Sequence, residues 1–422
     1  MVFSVDALEL IEMRRQELWS EPARGAKFSF RELIALLFFL RGNEQLNRGT
    51  RVTKFENAIG DFLGSSNVVA TTSCSSALSL VPKIIGLNKG DEVLVPINSF
   101  WTSVAPLFSL GIIPVPYDVN PQDLSGNIVD ASSKITSKTR AIYVQSFGGS
   151  PYDGPGFRSL CDERGLKLVE DSAHGLGAQI GSVKIQKFSD ISCLSFSTLK
   201  NVVTLGEGGA VVTDSEQFAS KARQLIESRA IGNFREYQTP RQSPYLELIN
   251  LVGYDFMRIG DAFLGEWEDV YTIGSTLRIS APQALLGSLQ VTRYEKTLMA
   301  RRKQCLTYRK ELSILENGAA SVFENCQNSA HHLFILNVFD HKLRNKILIN
   351  LRESLNYRVV NRYIPISIQS VSRYFGMKHP ENSIYEKLLL NNMISLPIGP
   401  GLSKKRQSQI IKCINDVYAK SA

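Results

Sequence analysis

The chain has 422 residues, of which 43% are hydrophobic and 21% are charged, as in a globular enzyme with a large core and two domains. Its formal net charge of +8 fits acidic small molecules, a nucleic acid or an anionic surface, and does not choose among them. No cysteine belongs to a C-x-x-C pair or has zinc-finger spacing, which excludes a structural zinc site of that type.

The cysteines and the N-terminus indicate a cytoplasmic protein. Scattered cysteines are typical of reduced thiols, and the first residues show no signal-peptide pattern. The apolar run at 33–40 is too short to span a bilayer and ends at Arg41, so we expect a buried helix there. The six cysteines are Cys74, Cys161, Cys193, Cys305, Cys326 and Cys413.

The first two thirds of the chain alternate short apolar strands with helical segments. This alternation predicts an α/β fold with a mostly parallel sheet that helices cover on both faces. Helices are expected over 29–41 and 52–63, where apolar residues recur at helical spacing. The strands that follow are expected at 67–71, 92–96, 113–118, 141–145 and 166–170, and the helices at 75–85, 101–110 and 156–164.

The rest of the chain departs from this rhythm. Residues 232–272 combine prolines, aromatics and an apolar stretch, which is typical of a lid or an interface arm. We predict an extension over 1–28, a large domain over 29–290 that includes the 232–272 excursion, and a small C-terminal α+β domain over 291–422. Further signals are one or two helices over 281–311, strands at 332–338 and 357–363, and helices at 342–355 and 403–419.

Two strand ends carry the chemistry of the chain. One apolar strand runs into Asp171 and His174, and another runs through residues 195–199 to Lys200 and a glycine-rich turn. A lysine and an aspartate at the ends of neighbouring strands are what pyridoxal phosphate needs, the first as a Schiff base and the second against the pyridine nitrogen. The competing interpretations are a surface lysine and an aspartate that caps a helix.

Two other motif matches do not hold. Residues 197–200 fit the S-x-x-K pattern of penicillin-recognising serine hydrolases, but the S-D-N and K-T-G motifs of those enzymes are absent from the sequence. The glycine pairs at 175–177 and 206–208 do not complete a G-x-G-x-x-G motif between a strand and a helix, which excludes a Rossmann site.

Across residues 45–420 the chain resembles the DegT/DnrJ/EryC1/StrS family, the sugar aminotransferases of pyridoxal phosphate fold type I. The order and spacing of several short motifs carry the resemblance, since each motif alone is weak. They lie at 48–52, 55–56, 73–78, 95–96, 170–178, 195–213, 274–279, 363–365 and 395–397.

The resemblance implies roles for the residues around the cofactor ring. Lys200 would bind the cofactor and move a proton between the substrate and the cofactor, and Asp171 would hold the pyridine nitrogen protonated. His174 is either a neighbour of the cofactor's phenolic oxygen or an ordinary core histidine. Phe100 would stack on the open face of the ring, and a shift of one residue in the alignment would replace it by Trp101.

The resemblance also implies a phosphate site shared by two subunits. Ser75 and Ser76 open a helix directly after a strand, where backbone N–H groups attract an anion, and Ser195 matches a family phosphate ligand. The family has Gly-Thr where this chain has Cys74-Ser75. Thr276 replaces a family asparagine that reaches the partner's phosphate, so this contact is either lost or mediated by water.

The implied function is transamination from glutamate or glutamine to a keto group of a nucleotide-linked sugar or a related keto-cyclitol. The acting unit would be a homodimer with shared active sites, without a metal, a nucleic acid or a membrane as partner. The alternatives are another pyridoxal phosphate reaction on the same scaffold, such as a dehydratase or a carbon–carbon bond enzyme, and a non-catalytic regulator that binds nucleic acid.

Overall fold

A computed structural model describes residues 27–42, 46, 49–227, 274–323 and 328–421. The predicted 232–272 excursion and residues 1–26 of the predicted extension lie outside this part. The strands are β1 Asn67–Thr71, β2 Glu92–Pro96, β3 Ile113–Tyr117, β4 Thr139–Gln145, β5 Lys167–Asp171, β6 Gln179–Ile180, β7 Val183–Lys184, β8 Ile191–Ser195, β9 Gly209–Thr213, β10 Ala320–Val322, β11 Phe334–Val338 and β12 Met393–Leu396.

The helices frame these strands. They are α1 Phe30–Arg41, α2 Thr50–Leu63, α3 Cys74–Ile85, α4 Ala105–Ser109, α5 Ile128–Ser133, α6 Gly154–Arg164, α7 Glu216–Leu225, α8 Ala281–Thr292, α9 Tyr294–Glu311, α10 Ser313–Glu316, α11 His341–Leu355, α12 Ser370–Tyr374, α13 Ile384–Asn391 and α14 Lys404–Ala419. None of the helices in the described ranges has the length and apolar character needed to span a bilayer.

Within the described residues, the main sheet has seven strands in the order β1-β9-β8-β5-β4-β2-β3. The pairs from β3 across to β8 are parallel, whereas β9 runs antiparallel to both β8 and β1. The prediction of a mostly parallel α/β sheet is therefore confirmed. The carboxyl ends of β4, β5 and β8 meet at one edge, which brings together residues that are far apart in the sequence.

Apolar side chains cover both faces of this sheet. Successive residues of β4 point to opposite sides, so Tyr143 joins the core formed with α3 and α4. Its neighbours Ile142 and Val144 pack instead against Phe157 of α6. A strand that is buried on both faces has a continuous run of apolar residues in its sequence, and the sequence of β4 shows such a run.

A second sheet, formed by β10, β11 and β12, is antiparallel. Helices α11 and α14 pack on it through Ile347 and Ile414. Helix α9 belongs to both cores, because Tyr294 packs with the residues around α2 and Tyr308 packs with the second sheet. The domain boundary near residue 290 stays a prediction.

Helix α1 forms where the sequence predicts it, but the prediction that it is buried is wrong. Phe30, Leu37 and Phe38 are 77%, 62% and 72% exposed. The helix is attached through two other residues: Phe39 packs against α8, and the buried Glu32 pairs with Arg293. An apolar run alone does not specify which side of a helix finds a partner.

Two other elements differ from the prediction. Residues 101–110 form a 3₁₀ turn at Trp101–Ser103 and then the short helix α4, rather than one helix. Residues 357–363 form no strand. There the side chain of Asn361 bonds the backbone of Met393 and Ser395, so an amide side chain supplies the bonds that a strand backbone would make.

Candidate active site

A cavity of about 290 Å³ lies at the carboxyl ends of β4, β5 and β8. Its floor is made by residues at the strand ends, and the start of α3 closes one side. Two coil segments, one ahead of β11 and one between α11 and α12, form the opposite wall. The lining includes Cys74, Ser75, Phe100, Gln145, Ser146, Asp171, His174, Ser195, Lys200, Glu207, His332, Arg362 and Tyr363.

Lys200 lies in the turn between β8 and β9. The turn is held by its own backbone, since Lys200 N–H donates to the carbonyl of Ser197 at 2.9 Å and Thr204 N–H donates to that of Phe196 at 3.0 Å. Burial lowers the pKa of the Lys200 ammonium from its ordinary value of 10.5, and the charge of the nearby Asp171 opposes this shift. A lowered pKa makes the neutral, nucleophilic amine more accessible.

Asp171 ends β5 and lines the same cavity, where it is only 8% exposed. Its Oδ2 accepts a hydrogen bond from Ser103 Oγ at 2.5 Å, and its Oδ1 accepts from Ala173 N–H at 3.1 Å. The carboxylate thus makes a local turn contact and also faces the cavity. Its partner Ser103 was missed, because a single helix over 101–110 does not predict where that hydroxyl points.

The start of α3 provides backbone donors at the cavity. Ser73 caps the helix by accepting from Ser76 N–H at 3.1 Å, and Ser75 lines the cavity. Ser76 is not in the lining, since its hydroxyl bonds Thr72 and Ser73. Strand β9 comes close to this turn, because a Cβ at Gly209 would lie 2.3 Å from the carbonyl carbon of Ser73. Only glycine fits there.

Cys74 stands at the family's glycine position and is buried. Burial raises the pKa of its thiol well above the ordinary value, and Asp171 adds to this effect. The thiol therefore stays protonated and is a poor nucleophile. The substitution retains the helix start and places a small, uncharged group in the cavity lining.

Of the remaining predicted residues, Phe100 and Ser195 line the cavity and Thr276 does not. Phe100 lines the cavity, with its ring centroid 5.1 Å from that of Tyr363, while the neighbouring Trp101 is not in the lining. Ser195 also lines the cavity. Thr276 is exposed and lies in the segment beside β1, where Leu277 accepts a backbone bond from Thr72 at 2.8 Å. Its predicted contact with a partner subunit stays a prediction.

His174 lines the cavity and makes contacts on both ring nitrogens. Its Nδ1 accepts from Gly148 N–H at 3.4 Å, and its Nε2 lies 3.2 Å from the hydroxyl of Tyr363. The ring stacks on His332 with a centroid distance of 4.0 Å. Neither of the two sequence interpretations of His174 anticipates this histidine pair.

Several lining residues had no predicted role, among them Gln145, Glu207, His332 and Arg362. Glu207 belongs to the quoted glycine-rich motif; burial raises the pKa of its carboxyl, and Lys200 opposes the shift. Arg362 directly precedes the quoted motif at 363–365, and its charge lowers the pKa of Lys200. No cluster of histidine, cysteine and acidic residues able to hold a metal ion occurs in the ranges that the structure describes.

Comparison with curated proteins finds sugar aminotransferases. GDP-perosamine synthase of Vibrio cholerae is 25% identical over 377 residues, which cover 88% of this chain and 92% of that protein. The 3-oxo-glucose-6-phosphate:glutamate aminotransferase of Bacillus subtilis is 32% identical over 177 residues, which cover 42% and 39% of the two chains.

Comparison with solved structures finds the same fold. Helicobacter pylori PseC, an aminotransferase involved in pseudoaminic acid biosynthesis, aligns with a TM-score of 0.80 and 21% identity, over 94% of this chain and 98% of that one. The PLP form of the sugar aminotransferase Spr1654 of Streptococcus pneumoniae aligns with a TM-score of 0.78 and 20% identity, with the same two coverages.

The profile of the DegT/DnrJ/EryC1/StrS aminotransferase family matches residues 31–415, almost the whole chain. The match agrees with the resemblance found in the motifs and with the fold. The chain therefore belongs to the DegT/DnrJ/EryC1/StrS aminotransferase family.

Proposed function

We propose that this protein is a pyridoxal phosphate-dependent aminotransferase that transfers an amino group from glutamate or glutamine to a keto group of a nucleotide-linked sugar. The observation that carries the proposal is the joint position of Lys200 and Asp171 in one cavity, beside the start of α3. The names of the related proteins, which include sugar aminotransferases and a glutamate aminotransferase, support the substrate class.

The donor set of the cavity fits the cofactor. The start of α3 offers N–H groups and the positive end of a helix dipole to a phosphate. Asp171 offers a carboxylate to a pyridinium nitrogen, Lys200 offers an amine to an aldehyde, and Phe100 offers a flat face to a ring. When bound, pyridoxal phosphate supplies an aldehyde that accepts the amino group and a ring that takes up electron density.

The roles of the chain's own residues follow from their positions. Lys200 would hold the cofactor through its Nζ; once an incoming amino group has displaced it from that bond, the free Nζ would take a proton from the substrate carbon that bears the amino group and deliver it to the cofactor side. The lowered pKa of Lys200 favours both tasks, because each needs the neutral amine at some stage. Asp171 would keep a positive charge on the ring nitrogen of the bound cofactor, and Ser103 fixes the direction of the Asp171 carboxylate through the 2.5 Å hydrogen bond.

Arg362 gives the cavity a place for an anionic substrate. Its guanidinium lines the wall that faces the strand ends. Guanidinium groups bind carboxylates through paired hydrogen bonds, so we assign to Arg362 the carboxylate of the amino donor. The half-buried position at the cavity wall excludes much of the solvent that would screen this pairing.

The acting unit in this proposal is a cytoplasmic homodimer. The exposed position of Thr276 beside β1 is compatible with a contact to a second copy. The cytoplasmic location rests on the scattered cysteines, of which Cys74, Cys161, Cys193 and Cys413 are free thiols.

The test is a half-reaction. The purified protein, loaded with pyridoxal phosphate, is mixed with glutamate or glutamine, and the absorbance bands of the aldehyde and amine forms of the cofactor are followed. We expect the aldehyde band to convert to the amine band with at least one of the two donors. A protein that binds the cofactor but shows no conversion with any amino acid contradicts transamination.

A further inference from the structure

Two stacked imidazoles form part of the cavity wall. His174 follows β5 and His332 precedes β11, and their ring planes are 20° apart with centroids 4.0 Å from each other. Both side chains are buried, at 8% and 5% exposure, and both line the cavity. Because the pair lines the same cavity as Lys200, the positions of its ring protons matter for the site.

Asn201, the residue after Lys200, determines the proton position on His332. Its amide nitrogen lies 2.7 Å from the carbonyl oxygen of Ala330, which can only accept. The same nitrogen donates to Tyr294 Oη at 3.1 Å, and that hydroxyl in turn donates to the carbonyl of Leu176 at 2.5 Å. The carbonyl of Ala330 needs a donor, and the hydroxyl of Tyr294 has already given its proton to the carbonyl of Leu176 and so needs one as well. The NH₂ group of Asn201 must therefore face both of them.

The amide oxygen of Asn201 must then face His332. It lies 3.2 Å from His332 Nδ1. Because an amide oxygen only accepts, Nδ1 of His332 carries a proton and donates it. In the neutral ring the lone pair is then on Nε2.

The backbone determines the opposite arrangement on His174. Gly148 N–H can only donate, so His174 Nδ1, at 3.4 Å, is the acceptor and carries no proton. The proton of the neutral ring is on Nε2, from which it is donated to Tyr363 Oη at 3.2 Å. The two stacked rings therefore have opposite tautomers.

The surroundings of the pair disfavour a positive charge on it. Lys200 and Arg362 line the same cavity as cations, with Asp171 and Glu207 as its acidic groups. Arg301 donates to the carbonyl of His331, the residue before His332, at 3.2 Å. Protonation of His174 at Nδ1 would also place two donors opposite each other. At Nδ1, His332 bonds a neutral amide, which stabilises an imidazolium less than a carboxylate does.

We propose that Asn201 and His332 are positioning residues, which hold His174 as a neutral imidazole that donates from Nε2 to Tyr363. Asn201 orients the ring of His332, and the stacked ring of His332 fixes the plane of His174. The effect on activity rests on the proposed function, whereas the states of the histidines do not, because they are measured in protein without cofactor.

The test is nuclear magnetic resonance of isotope-labelled histidine ring nitrogens in the cofactor-free protein. The chain has five histidines, so single variants assign the signals: His174, His331, His332, His341 and His379. We expect His332 protonated at Nδ1 and His174 at Nε2, with neither charging between pH about 6 and about 8, where an ordinary histidine titrates. The proposal is overturned if both histidines carry the same tautomer, or if His174 or His332 is an imidazolium at neutral pH.

Substitutions at His332 separate stacking from simple support of the fold. His332→Phe retains a ring against His174, so the Nε2–H form of His174 should persist. His332→Ala removes the ring, so His174 should populate both tautomers and titrate in the range given above. The half-reaction should then slow by about tenfold to a hundredfold, by analogy with the loss of the outer partner of a metal-bound histidine. An unchanged His174 signal in His332→Ala overturns the proposal even if the melting temperature falls.

Asn201→Asp tests the network without removing a ring. A carboxylate facing Nδ1–H favours the imidazolium, so His332 should become charged at neutral pH and the rate should gain a dependence on pH in this range. A His332 that stays neutral in Asn201→Asp contradicts the assigned contact. The matched control is His379→Gln, because His379 pairs with Glu386 at 2.9 Å away from the cavity and should leave both signals unchanged.

Discussion

The two walls of the cavity are built in different ways. Asp171 ends a strand that is hydrogen-bonded on both sides, to β4 and to β8, and Lys200 follows the next strand through a turn with its own backbone bonds. The facing residues Arg362 and Tyr363 lie in coil. Tyr363 is held by a side chain instead, since Tyr385 Oη donates to its carbonyl at 2.8 Å.

The difference assigns separate tasks to the walls. Strand ends fixed from both sides position groups within the narrow tolerance that covalent and proton-transfer chemistry requires. A coil wall held by side-chain bonds adapts to different substrates with less disturbance to the core. Substitutions at the strand ends should therefore lower kcat, and substitution of Arg362 in the coil wall should mainly change KM.

The largest effect is expected for Lys200→Ala. It removes the amine that binds the cofactor and carries the proton, so kcat should fall by at least about 10⁴-fold, the upper range for proton transfer by a positioned side chain. Steady-state kinetics with saturating cofactor measure this. Lys167→Ala, at the opposite end of β5, is the control and should retain activity. Retention of more than a small fraction of kcat in Lys200→Ala would place the chemistry elsewhere.

Asp171→Asn should have the next largest effect. The amide has the same shape but no charge to balance the ring nitrogen, so kcat should fall by about 10²–10³-fold, as when a preorganised electrostatic partner is removed. Cofactor affinity, measured by fluorescence titration, should fall as well. Asp162→Asn, at an exposed carboxylate on α6, is the matched control. Unchanged kinetics would reduce Asp171 to a turn residue that bonds Ala173.

Arg362→Met tests the coil wall. Loss of a hydrogen-bonded charge pair, worth about 1.5–3 kcal/mol, should raise KM for the amino donor by about tenfold to a hundredfold. The kcat at saturation should change little. Arg373→Met, at an exposed arginine of α12, should leave KM unchanged. A large fall in kcat without a change in KM would contradict the division of tasks between the walls.

Ser103→Ala should give a smaller change at the strand-end wall. It removes one hydrogen bond to Asp171, worth about 1 kcal/mol or slightly more, so kcat should fall about fivefold to tenfold. Ser109→Ala, where the hydroxyl bonds only the nearby carbonyl of Pro106, is the control. If Ser103→Ala equals Asp171→Asn in effect, the serine has a direct role in the reaction.

The pH dependence of cofactor uptake should be shifted. Only the neutral amine of Lys200 attacks an aldehyde, and its pKa lies below 10.5, so the neutral fraction appears at lower pH than for an ordinary lysine. The rate at which cofactor-free protein takes up pyridoxal phosphate should therefore reach half of its plateau below pH 10.5. Stopped-flow absorbance measures this, and a midpoint at or above the ordinary value contradicts the shift.

More of the strand-end wall than of the coil wall could be predicted from the sequence, for a physical reason. A buried strand followed by a polar residue is a local pattern, so Asp171 and Lys200 could be placed without knowledge of the tertiary structure. The parallel sheet then brings their ends together. Strand bounds agreed closely for the same reason, since β1 and β2 match the predicted 67–71 and 92–96.

The missed features depend on contacts between distant segments. His332 reaches His174 from 158 residues away in the chain, a separation over which spacing carries no information. Whether α1 is buried depends on which of its faces meets α8, and the apolar run itself does not encode this. The direction of Ser103 depends on a 3₁₀ turn, which helix periodicity does not distinguish from an α-helix.

The most direct measurement locates the covalent bond to the cofactor. The protein is loaded with pyridoxal phosphate, reduced with borohydride and digested, and the modified peptide is identified by mass spectrometry. The account predicts a single modification, on Lys200. A modification on a different lysine, or a protein that takes up none of the cofactor, would contradict it.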